Sequence, residues 1–235
     1  MAKVLITGGE GNLAKALAAT TSSNEIILKS RKGLDVTQNE HIDELFAINA
    51  DVIIHAAALT RPMVLHENDP WLSIHTNIIA TAKLAMYCIT DKRRLVYVST
   101  DYVYPGITGM YKETDPVLPI NYYAKSKYGG ECAAQMVPDS LIVRCGFSET
   151  PFPHAYAFND VHKSSLDIKE AARKIWNLIN IQATGIYNIG GIRRTIFDFA
   201  IETNTKVLPI SRKTIKEPIA IDCSMDTSKY DNAVS

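Results

Sequence analysis

The sequence predicts an α/β fold built on a doubly wound parallel sheet. Apolar runs of strand length alternate with stretches of helical apolar spacing from residue 3 to about residue 144. This alternation places the strands in parallel and covers both faces of the sheet with helices. With 235 residues, the chain is long enough for one large α/β domain with a small appendage.

Composition and charge exclude several classes of function. The 25 basic and 25 acidic residues cancel, and no Lys/Arg stripe marks a nucleic-acid-binding surface. No apolar run reaches about 18 residues and the N-terminus carries no signal-peptide pattern, so we expect no membrane association and a cytoplasmic location. The four cysteines lie far apart and the histidines form no H-x-x-H pair, so we expect reduced thiols and no metal site.

A glycine-rich turn follows the first apolar run. Residues 3–7 read as a buried strand, three glycines follow within residues 8–11, and helical spacing of small and apolar residues comes next. Gly8 permits a tight turn, and Gly11 lets the backbone approach a pyrophosphate at the N-terminus of the helix. This arrangement is typical of a Rossmann-type dinucleotide-binding turn, with Ala14 in place of the third glycine.

The end of the second predicted strand, residues 25–29, indicates which cofactor is preferred. Ser30, Arg31 and Lys32 follow it, and no carboxylate occurs before Asp35. An acidic residue here would bind the ribose 2′-OH of NAD, whereas a basic one accommodates the 2′-phosphate of NADP. The sequence therefore favours NADP(H), with NAD(H) as the alternative if the two basic residues are only solvated turn charges.

The remaining predicted elements continue the alternation. They are a helix from a capping box at Thr37–Glu40 to about Ile48, strands at 51–55, 94–99 and 140–144, and helices at 70–90, 122–135, 168–180 and 195–203. A short strand and turn is expected at 185–191, and the last thirty residues show no pattern of regular structure. Three alanines after the third strand either let a cofactor lie close or serve helix–sheet packing.

A tyrosine and a lysine are candidates for acid–base chemistry. Tyr123 and Lys127 are four residues apart near the start of a predicted helix, so they share a face. A nearby ammonium lowers the pKa of a phenol because it stabilises the phenolate, which suits general acid–base catalysis. The strand ending at Ser99 and Thr100 precedes this pair, and the glycine turn precedes both.

Taken together, these motifs resemble the extended short-chain dehydrogenase/reductase family and, within it, the dTDP-4-dehydrorhamnose reductase group. The motifs that carry the resemblance are Ile6–Ala14, Leu34–Val36, His55–Thr60, Ser99–Val103, Asn121–Lys127, Gly185–Gly191 and Met225–Lys229. The resemblance implies an NADP-binding Rossmann domain over residues 1–145. It implies a mostly substrate-binding part over residues 146–235, of which about 165–204 packs back on the first domain.

The resemblance also implies roles for individual residues. Thr100 would hydrogen-bond the substrate carbonyl oxygen, Tyr123 would protonate it, and Lys127 would tune Tyr123 and hold the nicotinamide ribose. The expected cofactor-binding residues are Gly8, Gly11, Asn12, Leu13, Ser30, Arg31, Lys32, Asp35, Val36, Ala56, Ala57, Ala58, Asn77, Ser99, Tyr123 and Lys127. The expected substrate-binding residues are Thr60, Thr100, Tyr102 and Phe147, although core packing explains Phe147 almost equally well.

The implied reaction is NADPH-dependent reduction of the 4-keto group of a nucleoside-diphosphate 4-keto-6-deoxy sugar, as in the biosynthesis of deoxysugars such as rhamnose. A 4,6-dehydratase is disfavoured because Tyr102 stands where that chemistry needs a carboxylate. A bifunctional 3,5-epimerase/4-reductase stays open only if Cys145 reaches the pocket. A non-catalytic, NADP-binding regulatory subunit like the methionine adenosyltransferase β subunit is the third reading. The resemblance also suggests a homodimer through helices 70–90 and 122–135.

Overall fold

The computed structural model of this chain describes residues 1–20 and 23–235, with the backbone alone at positions 39, 40, 42 and 43. Its strands are β1 (Lys3–Thr7), β2 (Glu25–Lys29), β3 (Val52–His55), β4 (Arg94–Thr100), β5 (Leu141–Cys145), β6 (Phe147–Ser148), β7 (Tyr156–Phe158), β8 (His162–Lys163), β9 (Leu166–Asp167), β10 (Gly185–Ile189), β11 (Arg194–Thr195) and β12 (Leu208–Ile210). Its helices are α1 (Asn12–Thr20), α2 (Asn39–Ile48), α3 (Met63–Asn68), α4 (Pro70–Ser73), α5 (Ala80–Thr90), α6 (Tyr122–Ala134), α7 (Ile168–Asn180), α8 (Ile196–Ile201) and α9 (Ser228–Val234). A π-helical turn covers Ile74–Ile79, and single 3-10 turns cover Asp101–Val103 and Arg212–Thr214.

The central sheet has the strand order β10-β5-β4-β3-β1-β2 in the described part of the chain, and its neighbouring strands all run parallel. The predicted doubly wound parallel sheet is therefore confirmed. β1 pairs with β2 on one side and with β3 on the other. The chain thus changes its direction of winding between β1 and β3, and the crevice at the carboxyl ends of these strands is where such sheets bind ligands.

Two hydrophobic cores cover the two faces of this sheet. Val4 and Ile6 of β1 belong to the core that includes Leu17 of α1. Leu5 between them points to the opposite face and belongs to the core that includes Leu84 of α5. Because successive strand residues face opposite sides and both sides are buried, β1 needs an unbroken apolar sequence.

The segment after β5 returns to the sheet through β10 and α7. β10 pairs in parallel with β5 at the sheet edge. The Trp176 indole N–H on α7 donates to the Leu17 carbonyl oxygen of α1 over 2.9 Å. Asp167 caps α7 by accepting the Lys169 amide N–H over 2.8 Å, as its sequence predicts. α1 and α7 consequently lie together on one face of the sheet.

Short paired strands and a separate small core build the rest of the second half. β7 pairs with β12, β8 with β11 and β6 with β9. Phe152, Ala157, Phe199, Ala200 and Val207 form a buried cluster around α8. This cluster gives the aperiodic segment after Cys145 a core of its own, which explains why the segment is ordered without sequence periodicity.

The helix predicted at 70–90 is interrupted. Asp69 caps its first turn as expected, accepting the Leu72 amide N–H over 3.3 Å. The π-helical turn at residues 74–79 then separates α4 from α5. Asn77 lies in that turn and hydrogen-bonds to Leu59 and Ser126. Single π-helical turns are frequent at functional sites, and the apolar spacing of the sequence cannot distinguish one from a continuous helix.

The capping box predicted at Thr37–Glu40 is wrong at its first position. α2 begins at Asn39, and Gln38 rather than Thr37 occupies the N-cap. The Thr37 hydroxyl instead donates to the Asp35 carboxylate over 2.7 Å, so it is already engaged in a local turn. The Glu40 side chain lies outside the described part of the chain.

The last thirty residues do contain regular structure, contrary to the sequence-based expectation. β12 and α9 both lie there. Tyr230 of α9 is buried in the core beneath α1 and α7, and its hydroxyl accepts a hydrogen bond from the Asn177 side-chain amide over 2.9 Å. A helix this short is not stable by propensity alone, so contact with α7 is what stabilises it.

Candidate active site

The glycine turn between β1 and α1 is held in a narrow shape by its neighbours. Gly8 has φ +72°, and a Cβ there would lie 2.9 Å from the Ala57 backbone. A Cβ on Gly11 would lie 3.0 Å from the Gly8 carbonyl oxygen. The first N–H groups of a helix have no partner within the helix. The amides of Asn12 and Leu13, at the start of α1, therefore face this side-chain-free turn and can receive an anion.

A chain of buried hydrogen bonds fixes the ends of β1 and β3 behind that turn. The Thr81 hydroxyl donates to the Asn77 carbonyl oxygen over 2.8 Å, so its oxygen accepts from His55 Nε2 over 3.0 Å. His55 Nδ1 then accepts from the Thr7 hydroxyl over 2.7 Å, and the Thr7 oxygen accepts the Ala57 amide N–H over 3.2 Å. Burial lowers the pKa of His55 to about 3, so the imidazole is a neutral structural bridge.

The predicted cofactor-selecting residues lie after β2. Arg31 is 75% exposed and forms a salt bridge of 3.1 Å with Asp35. Partial burial opposes ionisation of Asp35, but hydrogen bonds from Thr37 and the Arg31 guanidinium together lower the pKa of this carboxyl. Ser30 is partly buried and Lys32 is exposed. The guanidinium and ammonium groups are thus accessible beside an ionised carboxylate.

Val36, one of the expected cofactor-binding residues, is 5% exposed and packs its side chain in the core with Leu34 and Leu45. The three alanines Ala56, Ala57 and Ala58 after β3 are partly buried, and Ala57 lies directly against Gly8. Their small size therefore serves the close contact with the glycine turn.

Thr100 and Tyr123 lie near each other at the carboxyl end of β4, close enough for the Thr100 hydroxyl to influence the pKa of the phenol. Thr100 is the last residue of β4 and Tyr123 is the second residue of α6. Asn121 sets the start of α6 by accepting the Ala124 amide N–H over 2.8 Å. The structure thus brings together two of the three residues expected to act in catalysis.

Lys127, the third, is buried one turn further along α6. Its ammonium donates to the Val98 carbonyl oxygen over 2.8 Å and lies 4.2 Å from the centre of the Tyr97 ring. Burial lowers the pKa of Lys127 to about 8. Burial also raises the pKa of Tyr123 to about 12. The expected lowering of the phenol pKa by Lys127 is therefore wrong for this structure, because the ammonium is directed at a backbone carbonyl.

The side chains of Asn77 and Ser99 form hydrogen bonds in the interior next to the site. The Asn77 side chain accepts the Leu59 amide N–H over 2.8 Å and donates to the Ser126 hydroxyl over 2.8 Å, which ties the segment after β3 to α6. The Ser99 hydroxyl donates to buried Glu131 over 2.6 Å. The Ser99 side chain is therefore engaged in the interior.

The predicted substrate-binding residues are less closely grouped. Thr60 is exposed, and the Tyr102 ring lies 6.1 Å from the Tyr123 ring in an edge-on arrangement. Phe147 packs against the core of α1 and α7, which favours its alternative reading as a packing residue. Among the predicted set, Tyr102 is therefore the aromatic residue beside the catalytic candidates.

Two groups beside Tyr123 were missed by the sequence reading. Lys163 lies 2.9 Å from the Asp101 carboxylate and 4.0 Å from the centre of the Tyr102 ring. His66 lies 5.2 Å from the Tyr123 ring, centre to centre. Asp101, the neighbour of Lys163, belongs to the motif Ser99–Val103 that the sequence already singled out. Lys163 and His66 had no signal, because both lie in stretches without recognisable periodicity.

The parallel sheet and the glycine turn together define a Rossmann-type protein. The RmlD substrate binding domain family matches residues 2–148. The chain therefore belongs to the RmlD substrate binding domain family.

Individual relatives agree with this assignment. The chain is 33% identical over 154 residues to dTDP-4-dehydrorhamnose reductase from Aggregatibacter actinomycetemcomitans, an alignment that covers 63% of this chain and 52% of the relative. It is 33% identical over 143 residues to methionine adenosyltransferase 2 subunit beta from Bos taurus, covering 56% and 42% respectively. The chain thus spans about half the length of the curated relatives that it matches.

Solved structures share the fold over nearly the whole chain. A hypothetical dTDP-4-dehydrorhamnose reductase from Sulfolobus tokodaii is 27% identical, with a TM-score of 0.88 over 98% of this chain and 94% of that one. The dTDP-4-dehydrorhamnose reductase of Bacillus anthracis in complex with NADP has a TM-score of 0.89 at 23% identity, over 98% and 92%. Across residues 1–20 and 23–235, no helix is long and apolar enough to cross a membrane.

Proposed function

We propose that this protein reduces the 4-keto group of a nucleoside-diphosphate 4-keto-6-deoxy sugar, with NADPH as reductant. The observation that carries the proposal is the convergence of Thr100, at the end of β4, and Tyr123, in the first turn of α6, beside the Tyr102 ring, which lies 6.1 Å from the Tyr123 ring. It lies at the same sheet edge as the glycine turn, because parallel strands bring their carboxyl ends together. Two hydroxyls of this kind are suited to bind and protonate a carbonyl oxygen.

The residues present fit a dinucleotide. The turn at Gly8 has no room for a Cβ, which leaves the backbone free to approach a pyrophosphate, and the Asn12 and Leu13 amides would donate to its oxygens. Arg31 would pair with a 2′-phosphate. Lys127 would hold the ribose next to the nicotinamide. NADPH supplies a hydride when bound.

The protein's own groups would manage the proton and the developing charge. Because burial raises the pKa of Tyr123 to about 12, the phenol keeps its proton at neutral pH and has one to donate. Thr100 would stabilise negative charge on the carbonyl oxygen by donating its hydroxyl hydrogen. Tyr102 would contact the sugar, with Thr60 at the exposed rim of the crevice.

The test is a panel of 4-keto-6-deoxy sugar nucleotides on dTDP, UDP and GDP, followed as NADPH consumption with product stereochemistry at C3, C4 and C5. Tyr123→Phe is expected to lower kcat by at least about 100-fold, the usual scale of a lost general acid. Turnover that survives Tyr123→Phe would contradict the assignment.

The two alternatives predict different outcomes of the same panel. Cys145 is 3% exposed, its thiol donates to the Ser99 carbonyl oxygen, and burial raises its pKa to about 12. This disfavours Cys145 as an epimerase acid or base, so inversion at C3 or C5 is not expected. Tight NADPH binding with no turnover on any sugar would instead support a regulatory subunit.

A further inference from the structure

A buried ion pair lies directly behind the hydroxyls of the candidate site. Lys163 Nζ is 2.9 Å from Asp101 Oδ2, and the two side chains are only 11% and 1% exposed. Asp101 follows β4, whereas Lys163 comes from β8 in the second half of the chain. A Cβ on Gly146 would lie 2.6 Å from Asp101 Oδ2, so the carboxylate has little room to move.

A hydrogen bond connects this ion pair to Thr100, beside the phenol. The Thr100 hydroxyl donates to Asp101 Oδ1 over 3.2 Å. The Thr100 oxygen accepts the Tyr102 amide N–H over 3.3 Å, and the Tyr102 ring lies 6.1 Å from the Tyr123 ring. Lys163, Asp101 and Thr100 are thus directly linked next to Tyr123. In this arrangement the Thr100 hydrogen points at Asp101 and must turn away to reach a substrate.

We propose that Lys163 is a positioning residue of this site, which neutralises Asp101 beside Tyr123 and thereby lets the Thr100 hydrogen turn from Asp101 to a substrate carbonyl. The inference rests on the proposed reductase function. An unpaired carboxylate accepts hydrogen bonds roughly twice as strongly as a neutral group. Without Lys163, Asp101 would hold the Thr100 hydrogen and place an uncompensated negative charge next to the phenol.

The charges around Tyr123 support this role. The titratable groups that face Tyr123 are His66 from α3, Tyr97, Asp101 and Tyr102 from β4 and the turn after it, and Lys163 from β8. Burial is the largest influence on the pKa of Tyr123 and raises it. The charge of Asp101 raises it further, whereas the charge of Lys163 lowers it. The two charges therefore oppose each other at the phenol.

Lys163 is itself held in the charged form. The titratable groups that face it are Asp101, Tyr102, Tyr123, Cys145 and Cys223. Burial opposes the ammonium charge, but Asp101 outweighs burial, and the pKa of Lys163 is raised well above its ordinary value. A lysine that stays charged at every working pH can cancel the carboxylate without titrating.

The experiment compares Lys163→Met, Asp101→Asn, the double variant and Lys163→Arg with the parent. Lys174→Met is the matched control. Lys174 Nζ also lies over a tyrosine ring, 4.3 Å from the centre of the Tyr230 ring, but Lys174 belongs to α7 and does not face Tyr123. The near-ultraviolet absorbance of tyrosinate is measured at an alkaline pH at which circular dichroism shows each variant folded. The contribution of Tyr123 is isolated by subtracting the same variant carrying Tyr123→Phe.

Lys163→Met is expected to lower the ionised fraction of Tyr123 about tenfold, since losing a nearby opposite charge shifts a pKa by about one unit or more. Asp101→Asn is expected not to lower it, and the double variant and Lys163→Arg are expected near the parent. With a sugar substrate, Lys163→Met should lower kcat about tenfold with KM and NADPH binding unchanged. The double variant should recover most of that loss.

Equal tyrosinate fractions in Lys163→Met and Lys174→Met would overturn the proposal, as would a double variant as impaired as Lys163→Met. If Lys163→Met does not fold, the test uses Asp101→Asn and the double variant, which has no unpaired charge. A lowered ionised fraction of Tyr123 in Asp101→Asn then overturns the proposal. The absorbance measurement needs no sugar, so an inactive parent would refute only the reductase function.

Discussion

At Gly8 the backbone has φ +72°, and a Cβ there would lie 2.9 Å from the Ala57 backbone. Gly8→Ala is therefore expected to open the turn, to lower stability by more than about 1 kcal/mol and to abolish NADPH binding. Gly185→Ala is the matched control, because Gly185 has φ +80° with nothing within 4 Å of its Cβ position. Gly185→Ala should show the loss of stability caused by the backbone conformation alone, and its NADPH affinity should equal that of the parent. Thermal unfolding and fluorescence titration measure the two effects, and equal NADPH affinity in both variants would argue against the nucleotide-binding turn.

Arg31 allows a second prediction about a single side chain. The guanidinium is 75% exposed beside Asp35, within the segment where these folds select the cofactor. Arg31→Ala should weaken NADPH binding about tenfold, roughly 1.4 kcal/mol, and leave NADH binding unchanged, because NADH lacks the 2′-phosphate. Titration with both cofactors measures the difference. An equal loss for NADH would assign Arg31 a general role in stabilising the turn.

The element that places Tyr123 is α6, and its start depends on one cap. Asn121 accepts the Ala124 amide N–H over 2.8 Å and donates to the Pro218 carbonyl oxygen over 3.2 Å. Asn121→Ala should lower the free energy of unfolding by about 1 kcal/mol. It should also lower kcat, because Tyr123 lies in the first turn that the cap holds.

Thr195→Ala is the control for that prediction. Thr195 caps α8 by accepting the Asp198 amide N–H over 3.0 Å. Thr195→Ala should lower the free energy of unfolding by a similar amount without changing kcat. If both variants lose kcat equally, the loss follows from global stability and not from the position of Tyr123.

The predicted elements of the first half were largely confirmed because their signals are local. β1, β4 and α6 follow from apolar runs and from the Asn121 cap, and they begin where the sequence placed them. The π-helical turn at residues 74–79 and the helix α9 were missed. Both depend on contacts with distant residues, such as Asn77 with Leu59, which no window of sequence contains.

For the whole molecule, His55 links stability to pH. Burial lowers the pKa of His55 from 6.5 to about 3 in the folded protein. Below pH 6.5 the unfolded chain binds a proton that the folded protein does not bind until near pH 3, so stability falls as the pH falls through this range. The expected contribution is a loss of up to about 2 kcal/mol between pH 6.5 and pH 5.

Chemical denaturation across this range measures that loss. His55→Gln should be less stable overall but should have a flatter profile, since its side chain does not titrate. His75→Gln, at a residue that stacks on Trp71 away from the buried bridge, should follow the parent profile. A parent-like slope in His55→Gln would show that the acid sensitivity arises elsewhere.

The homodimer and the domain boundary at residues 145/146 stay predictions. The homodimer predicted from the sequence would bury apolar side chains that the described structure leaves exposed on α4 and α5, among them Trp71 and Met86. The expected boundary at residues 145/146 separates the strands β1–β5 from the small core around α8. β10 and α7 nevertheless return to the sheet after that boundary.

The sequence alone determined the alternation of strands and helices, the glycine turn, and the order of Thr100, Tyr123 and Lys127. Those features depend on periodicity, backbone conformation and spacing, which neighbouring residues carry. Only the tertiary structure decided that burial raises the pKa of Tyr123, that Lys127 is directed at Val98, and that Lys163 pairs with Asp101. Burial and long-range electrostatics set those properties, and both depend on residues that are far apart in the chain and close only after folding.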